Sequence, residues 1–215
     1  MQTTGLKMVK DKNSVNHSLN DIGEAVRILK TGGVVIIPTD TVYGLAVSAF
    51  DRSAQKKIYR LKGRSYRKPL IIMPPDIRSA ETLCTISDDA RRLMQKFWPG
   101  PLTLILPTTA LGQMVMGGRK DAGVRIPDHP AVLSLLAGCG FPIVTTSANP
   151  STQPGAVNAS AAKNYFFGKV DFIIDAGPTR SGSSSTVLDM THFPYTVVRE
   201  GCLPSKTLLK YLSIS

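Results

Sequence analysis

Apolar residues at Ile22, Ala25, Val26 and Leu29 recur at helical spacing and predict a helix over Asn20–Leu29, ended by Gly32-Gly33. Val34–Pro38 is a short apolar run of strand length that opens into the polar stretch Thr39-Asp40-Thr41. Ser53 is placed to cap a helix reaching about Leu61, with Lys62-Gly63-Arg64 as its basic end. Leu70–Met73 predicts a strand. Ser87-Asp88-Asp89 starts a helix that Trp98-Pro99-Gly100-Pro101 stops. Thr103–Leu106 and Val124–Ile126 read as strands, and Pro130–Ala137 as a helix ended by Gly138. Pro142–Thr146 is a strand leading into Ser147-Ala148-Asn149-Pro150. A helix over Ser160–Phe166, strands at Val170–Ile174, Thr186–Asp189 and Thr196–Arg199, and a helix over Ser205–Leu212 complete the pattern. Strands and helices alternate through the middle, while the last strands lack crossover helices. That combination predicts an α/β or α+β fold with a twisted mixed sheet.

The 215 residues suit one domain, expected over 18–215 behind a polar leader at 1–17. No apolar run approaches the roughly 18–20 residues that span a bilayer, and the leader lacks the apolar stretch of a signal peptide. Three cysteines, Cys84, Cys139 and Cys202, are odd in number and widely spaced, which fits reduced thiols in a cytoplasmic protein. Lys and Arg total 26 against 15 Asp and Glu, a net charge of +11. Such a surface attracts nucleotides, RNA or other phosphate-rich partners.

Several common sites are missing from the sequence. There is no Gly-rich phosphate loop ending in Gly-Lys-Ser/Thr, no G-x-G-x-x-G and no G-x-S-x-G elbow. His17, His129 and His192 are isolated, and no Cys/His spacing suggests zinc, so no protein-held metal is expected. His129, just before Pro130, reads as a helix-start residue. Polar residues instead follow apolar strands in three places: Pro38–Gly44, Lys62-Gly63-Arg64 and Thr145–Asn149. Ends of strands are where open α/β sheets place ligands. Gly177–Ser185 is a Gly/Ser-rich stretch whose backbone N–H groups suit an anion cradle or a plain connection.

Taken in order, these segments carry a resemblance. P-T-D-T-V-Y-G at Pro38–Gly44, K-x-R at Lys62–Arg64, W-P-G-P-x-T at Trp98–Thr103, V-R-x-x-x-H-P at Val124–Pro130 and S-x-N at Ser147–Asn149 resemble the YrdC-like family of threonylcarbamoyl-AMP synthases. Ser184-Ser185-Thr186 and Arg199-Glu200-Gly201 extend the likeness, which covers roughly Ser18 to Gly201. Because the chain stops soon afterwards, it is expected to be a short form, without the extra C-terminal domain of long members.

The resemblance implies a single twisted mixed sheet with a basic concave cleft. It implies formation of L-threonylcarbamoyl-AMP and pyrophosphate from L-threonine, bicarbonate and ATP, with Mg²⁺ accompanying the triphosphate. Lys62 and Arg64 match the family's catalytic cations. Arg64, Lys68, Ser147, Asn149, Gly155 and Arg199 match the ATP side, and Thr41, Arg125, Thr145 and Ser185 the L-threonine side. The product would feed threonylcarbamoylation of tRNA through downstream transferase proteins. A second reading is a non-catalytic tRNA- or double-stranded-RNA-binding factor of the same fold. Ser65, where the family often carries Pro, and Asp121, where long members often carry Thr, are departures. An acid at Asp121 would repel phosphate unless turned away.

Overall fold

The structure is a computed structural model and describes residues 19–212; the expected leader at 1–17 lies outside them. In chain order the elements are α1 (Leu19–Lys30), β1 (Val35–Ile37), β2 (Gly44–Ser48), α2 (Arg52–Lys62), β3 (Ile71–Met73), α3 (Ile77–Leu83), α4 (Asp88–Phe97), β4 (Leu102–Pro107) and α5 (Ala110–Val115). They continue with β5 (Asp121–Val124), α6 (Pro130–Cys139), β6 (Ile143–Ser147), α7 (Ala159–Phe166), β7 (Phe172–Ile173), β8 (Thr186–Asp189), β9 (Thr196–Arg199) and α8 (Ser205–Leu209). The strands form one mixed sheet in the order β7-β1-β2-β6-β3-β5-β4-β8-β9. Three pairs are parallel: β1 with β7, β3 with β5 and β4 with β8. The expected mixed α/β architecture is therefore the one observed.

Alternation along each strand sends neighbouring side chains to opposite faces. Ile36, Leu45, Val47, Ile72, Leu104, Val124 and Val144 point to one face and join the larger core with α2, α4 and α7. Val35, Ile37, Ala46, Met73 and Ile143 point to the other face, where α1 and α6 cover them. Each fully buried Leu or Ile there contributes roughly 1.5–3 kcal/mol of transfer free energy. The second helical layer covers only part of its face. Gly44, Ile71, Thr145 and Ser147 continue the same alternation beyond the two helices, and there the sheet is left open as a cleft.

Local chemistry shifts some boundaries. Asp51, not Ser53, caps α2, its carboxylate accepting from the backbone N–H of Ser53 and Ala54. The Ser53 hydroxyl donates to the same oxygen, and these hydrogen bonds, that of the Ala54 N–H first, hold the carboxyl below its usual range. Gly138 does not end α6; the helix continues to Cys139, and Gly140 closes it in the left-handed conformation. His129 caps that helix through Nδ1, which accepts from the Ala131 N–H at 3.3 Å. The terminal helix ends at Leu209 rather than Leu212. Strand β2 and the short helices α3 and α5 had no predicted counterpart.

Candidate functional site

The open part of the sheet forms a cleft of about 320 Å³. Thr41, Arg64, Arg125, Thr145, Ser147, Gly155, Ser185 and Arg199 line it, so eight of the residues singled out in the sequence meet in one place. They come from seven separate parts of the chain. A second hollow of similar size, about 330 Å³, lies between Phe50, Arg78 and Phe141 and contains none of them.

Arg125, just beyond β5, lines the cleft and is almost wholly buried. Its Nε donates to the Gly100 carbonyl at 2.9 Å, one terminal nitrogen donates to the Thr41 hydroxyl at 3.0 Å, and the other pairs with the Asp40 carboxylate. The Thr39 hydroxyl donates to the Val42 carbonyl at 2.7 Å and lies 2.9 Å from that of Thr41. Since one hydroxyl has one proton, Thr41 must donate to Thr39, and its lone pairs face Arg125. The donor chain therefore runs one way, from Arg125 through Thr41 and Thr39 to Val42.

Arg64 and Arg199 line the same cleft. Gly63 ends α2 at φ +59°, a conformation that favours glycine, and turns the chain so that Arg64 folds back over the cleft. The Arg64 guanidinium donates to the carbonyls of Lys68 at 2.9 Å and Pro69 at 3.1 Å. Arg199 donates to the Ser185 carbonyl at 2.9 and 3.1 Å and to its hydroxyl at 3.1 Å. The Ser185 hydroxyl is also 2.9 Å from that of Thr103. Burial lowers the pKa of both arginines, and the Arg199 charge lowers Arg64 further. Arg199 also disfavours the charge on Arg125. Three guanidinium groups thus line one cleft, and one of them, that of Arg125, is paired with the Asp40 carboxylate.

Lys62 lies under the cleft wall rather than in it. Its ammonium donates to the carbonyls of Ser147 and Asn149, the latter at 2.6 Å, and to the Asn149 side-chain oxygen at 3.3 Å. Burial, with a smaller contribution from Arg64, pushes its pKa down to about 7. Asn149 is likewise buried beneath the surface, its amide nitrogen donating to the carbonyls of Pro150 at 2.9 Å and Gln153 at 2.6 Å. Lys68 is exposed and contributes its backbone carbonyl to Arg64. These three residues brace the walls in this conformation. Asp121 pairs with Arg119 at 2.9 Å and does not line the cleft.

The 177–185 connection is tied down at several points. The Tyr43 hydroxyl donates to the Gly177 carbonyl at 2.7 Å and accepts from the Ala176 N–H at 3.0 Å. The Ser181 N–H reaches the Asp40 carbonyl at 3.1 Å, and Arg180 pairs with Asp128 at 3.0 Å. Gly182, Ser184 and Ser185 then form one wall. Thr39, Asp40 and Thr103 were given no individual role by sequence reading, although all three sit inside the motifs at Pro38–Gly44 and Trp98–Thr103. Among the described residues, no three His, Cys, Asp or Glu side chains gather to hold a metal ion, and no helix is long and apolar enough to cross a membrane.

Comparison with known proteins agrees with the motif order. Threonylcarbamoyl-AMP synthase of Bacillus subtilis is 41% identical over 189 residues, covering 86% of this chain and 55% of that protein. The crystal structure of Pyrococcus abyssi Sua5 complexed with L-threonine is 39% identical with a TM-score of 0.85, covering 89% of this chain and 57% of that one. The crystal structure of Escherichia coli YciO is 30% identical with a TM-score of 0.79, covering 87% of this chain and 92% of that one. The chain thus spans about half the length of the Bacillus and Pyrococcus proteins. Residues 27–201 match the family profile described as "Telomere recombination". With motifs, cleft and profile falling on the same residues, the chain belongs to the Sua5/YciO/YrdC family.

Proposed function

We propose that the chain forms L-threonylcarbamoyl-AMP from L-threonine, bicarbonate and ATP, releasing pyrophosphate. The observation that carries this reading is the uneven pairing of the cleft's three arginines. Arg125 is already paired with Asp40, whereas Arg64 and Arg199 have no carboxylate partner among the described residues, and a polyanion would relieve the repulsion between them. A triphosphate suits the unpaired arginines and an amino-acid carboxylate the paired one. The motifs and the relatives named threonylcarbamoyl-AMP synthase supply the same pairing of substrates.

The chemistry needs no nucleophile from the protein. The neutral amine of threonine attacks the bicarbonate carbon, forming the N–C bond and losing the elements of water. A carbamate oxygen then attacks the α-phosphorus, and the bond to the bridging oxygen breaks as pyrophosphate leaves. Holding the carbamate and the α-phosphate in line supplies much of the acceleration, and fixed cations stabilise the pentacoordinate charge. Arg64 and Arg199 would grip phosphate oxygens, with Mg²⁺ entering as part of the nucleotide substrate. Arg125, Thr41 and Thr145 would hold threonine. The hydroxyl groups of Ser147 and Ser185 would supply neutral hydrogen bonds to the substrates. Lys62, Asn149 and Lys68 would act by shaping the walls, and Gly155 leaves room beside Val42. The unstable product would pass to proteins that modify tRNA.

Pyrophosphate release, measured with each substrate omitted in turn, tests this reading. Release that requires both small substrates and is lost in Arg64→Ala supports it. ATP left intact by folded protein under every condition refutes it, and salt-sensitive RNA binding unaffected by Arg64→Ala would then favour the RNA-binding reading.

A further inference from the structure

We propose that Asp40 is a positioning and specificity-determining residue: its buried carboxylate holds and neutralises Arg125, so that the cleft beside Arg125 takes an amino-acid carboxylate and rejects phosphate. The inference rests on the reading of the cleft as a site for L-threonine and ATP.

The pair is an unusual thing to place beneath a cleft that binds anions. Asp40 and Arg125 have side chains only 8% and 4% exposed. The second carboxylate oxygen of Asp40 is buried with no hydrogen-bond partner. Burial raises the pKa of Asp40 and lowers that of Arg125, in each case outweighing the attraction of the partner. Such a pair is a poor source of stability, and an apolar replacement of similar volume commonly serves the fold as well. A buried acid beside Arg125 also competes with an incoming carboxylate for the same guanidinium.

The arrangement makes sense as control of charge and orientation. Three of the five N–H donors of Arg125 are used by Gly100, Thr41 and Asp40, which fixes the guanidinium from three sides. Arg125 lines the cleft, so its two remaining donors are the ones a bound carboxylate would engage. Its charge is balanced by Asp40, whereas Arg64 and Arg199 have backbone carbonyls and a hydroxyl as their hydrogen-bond partners. The same cleft therefore holds one neutralised arginine and two that have no carboxylate partner among the described residues. A polyanion is drawn to the unpaired two, and a single carboxylate that fits beside Arg125 is accepted there.

The test is calorimetric binding of L-threonine and of ATP, separately, to wild-type protein and to Asp40→Asn, first in phosphate-free buffer and then with 20-fold excess inorganic phosphate over the L-threonine dissociation constant, taken as roughly the concentration needed to expose competition. Wild type is expected to bind L-threonine with less than a twofold change on adding phosphate. Asp40→Asn is expected to bind L-threonine at least tenfold more weakly in phosphate, to recover part of that loss when phosphate is removed, and to bind ATP within twofold of wild type. L-threonine binding in Asp40→Asn that matches wild type, or a loss indifferent to phosphate, overturns the proposal. If Asp40→Asn does not fold, Asp40→Glu carries the test. It keeps the charge but displaces the guanidinium, so it should weaken L-threonine more than fivefold while staying insensitive to phosphate; unchanged affinity overturns the proposal. Wild-type protein that binds ATP but not L-threonine would instead refute the substrate reading on which the proposal stands.

Discussion

Replacing Lys62 with methionine separates a bracing role from a chemical one. The substitution keeps most of the side-chain volume and removes the ammonium. Ser147 would keep a partner for its carbonyl, since the Asn149 N–H already donates there at 3.0 Å. The Asn149 carbonyl and the Asn149 side-chain oxygen accept from Lys62 and would lose that partner in a buried setting. Each orphaned acceptor costs about 1–3 kcal/mol, and removing a desolvated ammonium gives part of that back. A net loss of ~2 kcal/mol is expected, which for a chain of this size lowers Tm by roughly 4–8 °C. Differential scanning calorimetry on Lys62→Met measures it, and limited proteolysis should show faster cutting around Ser151–Gly155. Pyrophosphate release should fall with the loosened wall. A Tm within 1 °C of wild type, with an unchanged proteolytic pattern and abolished activity, would refute the bracing account and place Lys62 in the reaction itself; that threshold is set at about a quarter of the smallest expected shift.

Two further predictions follow from the same geometry. Lys62 should titrate near pH 7 instead of near 10.5. Because its folded pKa is lowered, the unfolded chain holds one more proton than the folded chain between those values, so this group's contribution to stability rises with pH across that window. Carbon-13 NMR of the lysine Cε resonances should show one midpoint near 7, and a set in which every lysine titrates near 10.5 would contradict it. Gly201→Ala should destabilise by ~2–4 kcal/mol, the upper part of the usual overpacking cost and beyond. The added Cβ would meet the backbone of Ser184, Ser185 and Thr186 at 2.3–2.4 Å, where neither side can swing away. Since Ser185 positions Arg199, the variant should also weaken ATP binding; chemical denaturation and calorimetry check both, and wild-type values in either would count against the packing argument.

Much of the fold was legible because hydrophobic period and terminators agree locally. Helix α4 shows this, with Ser87 at its start and Trp98-Pro99 at its end. The missed strand β2 shows the limit. Gly44–Ser48 is buried on both faces and carries glycine and alanine, so it has neither alternation nor bulky β-branched residues throughout. Helices α3 and α5 span 7 and 6 residues, too short to build a clear stripe. Asp51 took the cap from Ser53 because its carboxylate reaches two N–H groups at once.

The site was legible as an ordered set of motifs, but motif order does not say which side of the wall a residue occupies. Lys62 and Asn149 sit in the same signature as Arg64 and Ser147, yet the first two face protein oxygens and the last two line the cleft. Asp121 looked like a misplaced charge in the sequence; its pairing with Arg119 removes that conflict. The importance of Asp40 depends on its distance from Arg125, a residue 85 positions away, which no local pattern encodes.

The most direct test of the proposed reaction follows one carbon atom. The purified chain is given L-threonine, MgATP and carbon-13 bicarbonate, quenched rapidly, and analysed by mass spectrometry. The account predicts an adenylate carrying threonine and a single labelled carbon, formed with an equivalent of pyrophosphate and lost in Arg64→Ala. ATP cleavage without that labelled adenylate, or an adenylate whose mass does not change with the label, would contradict it.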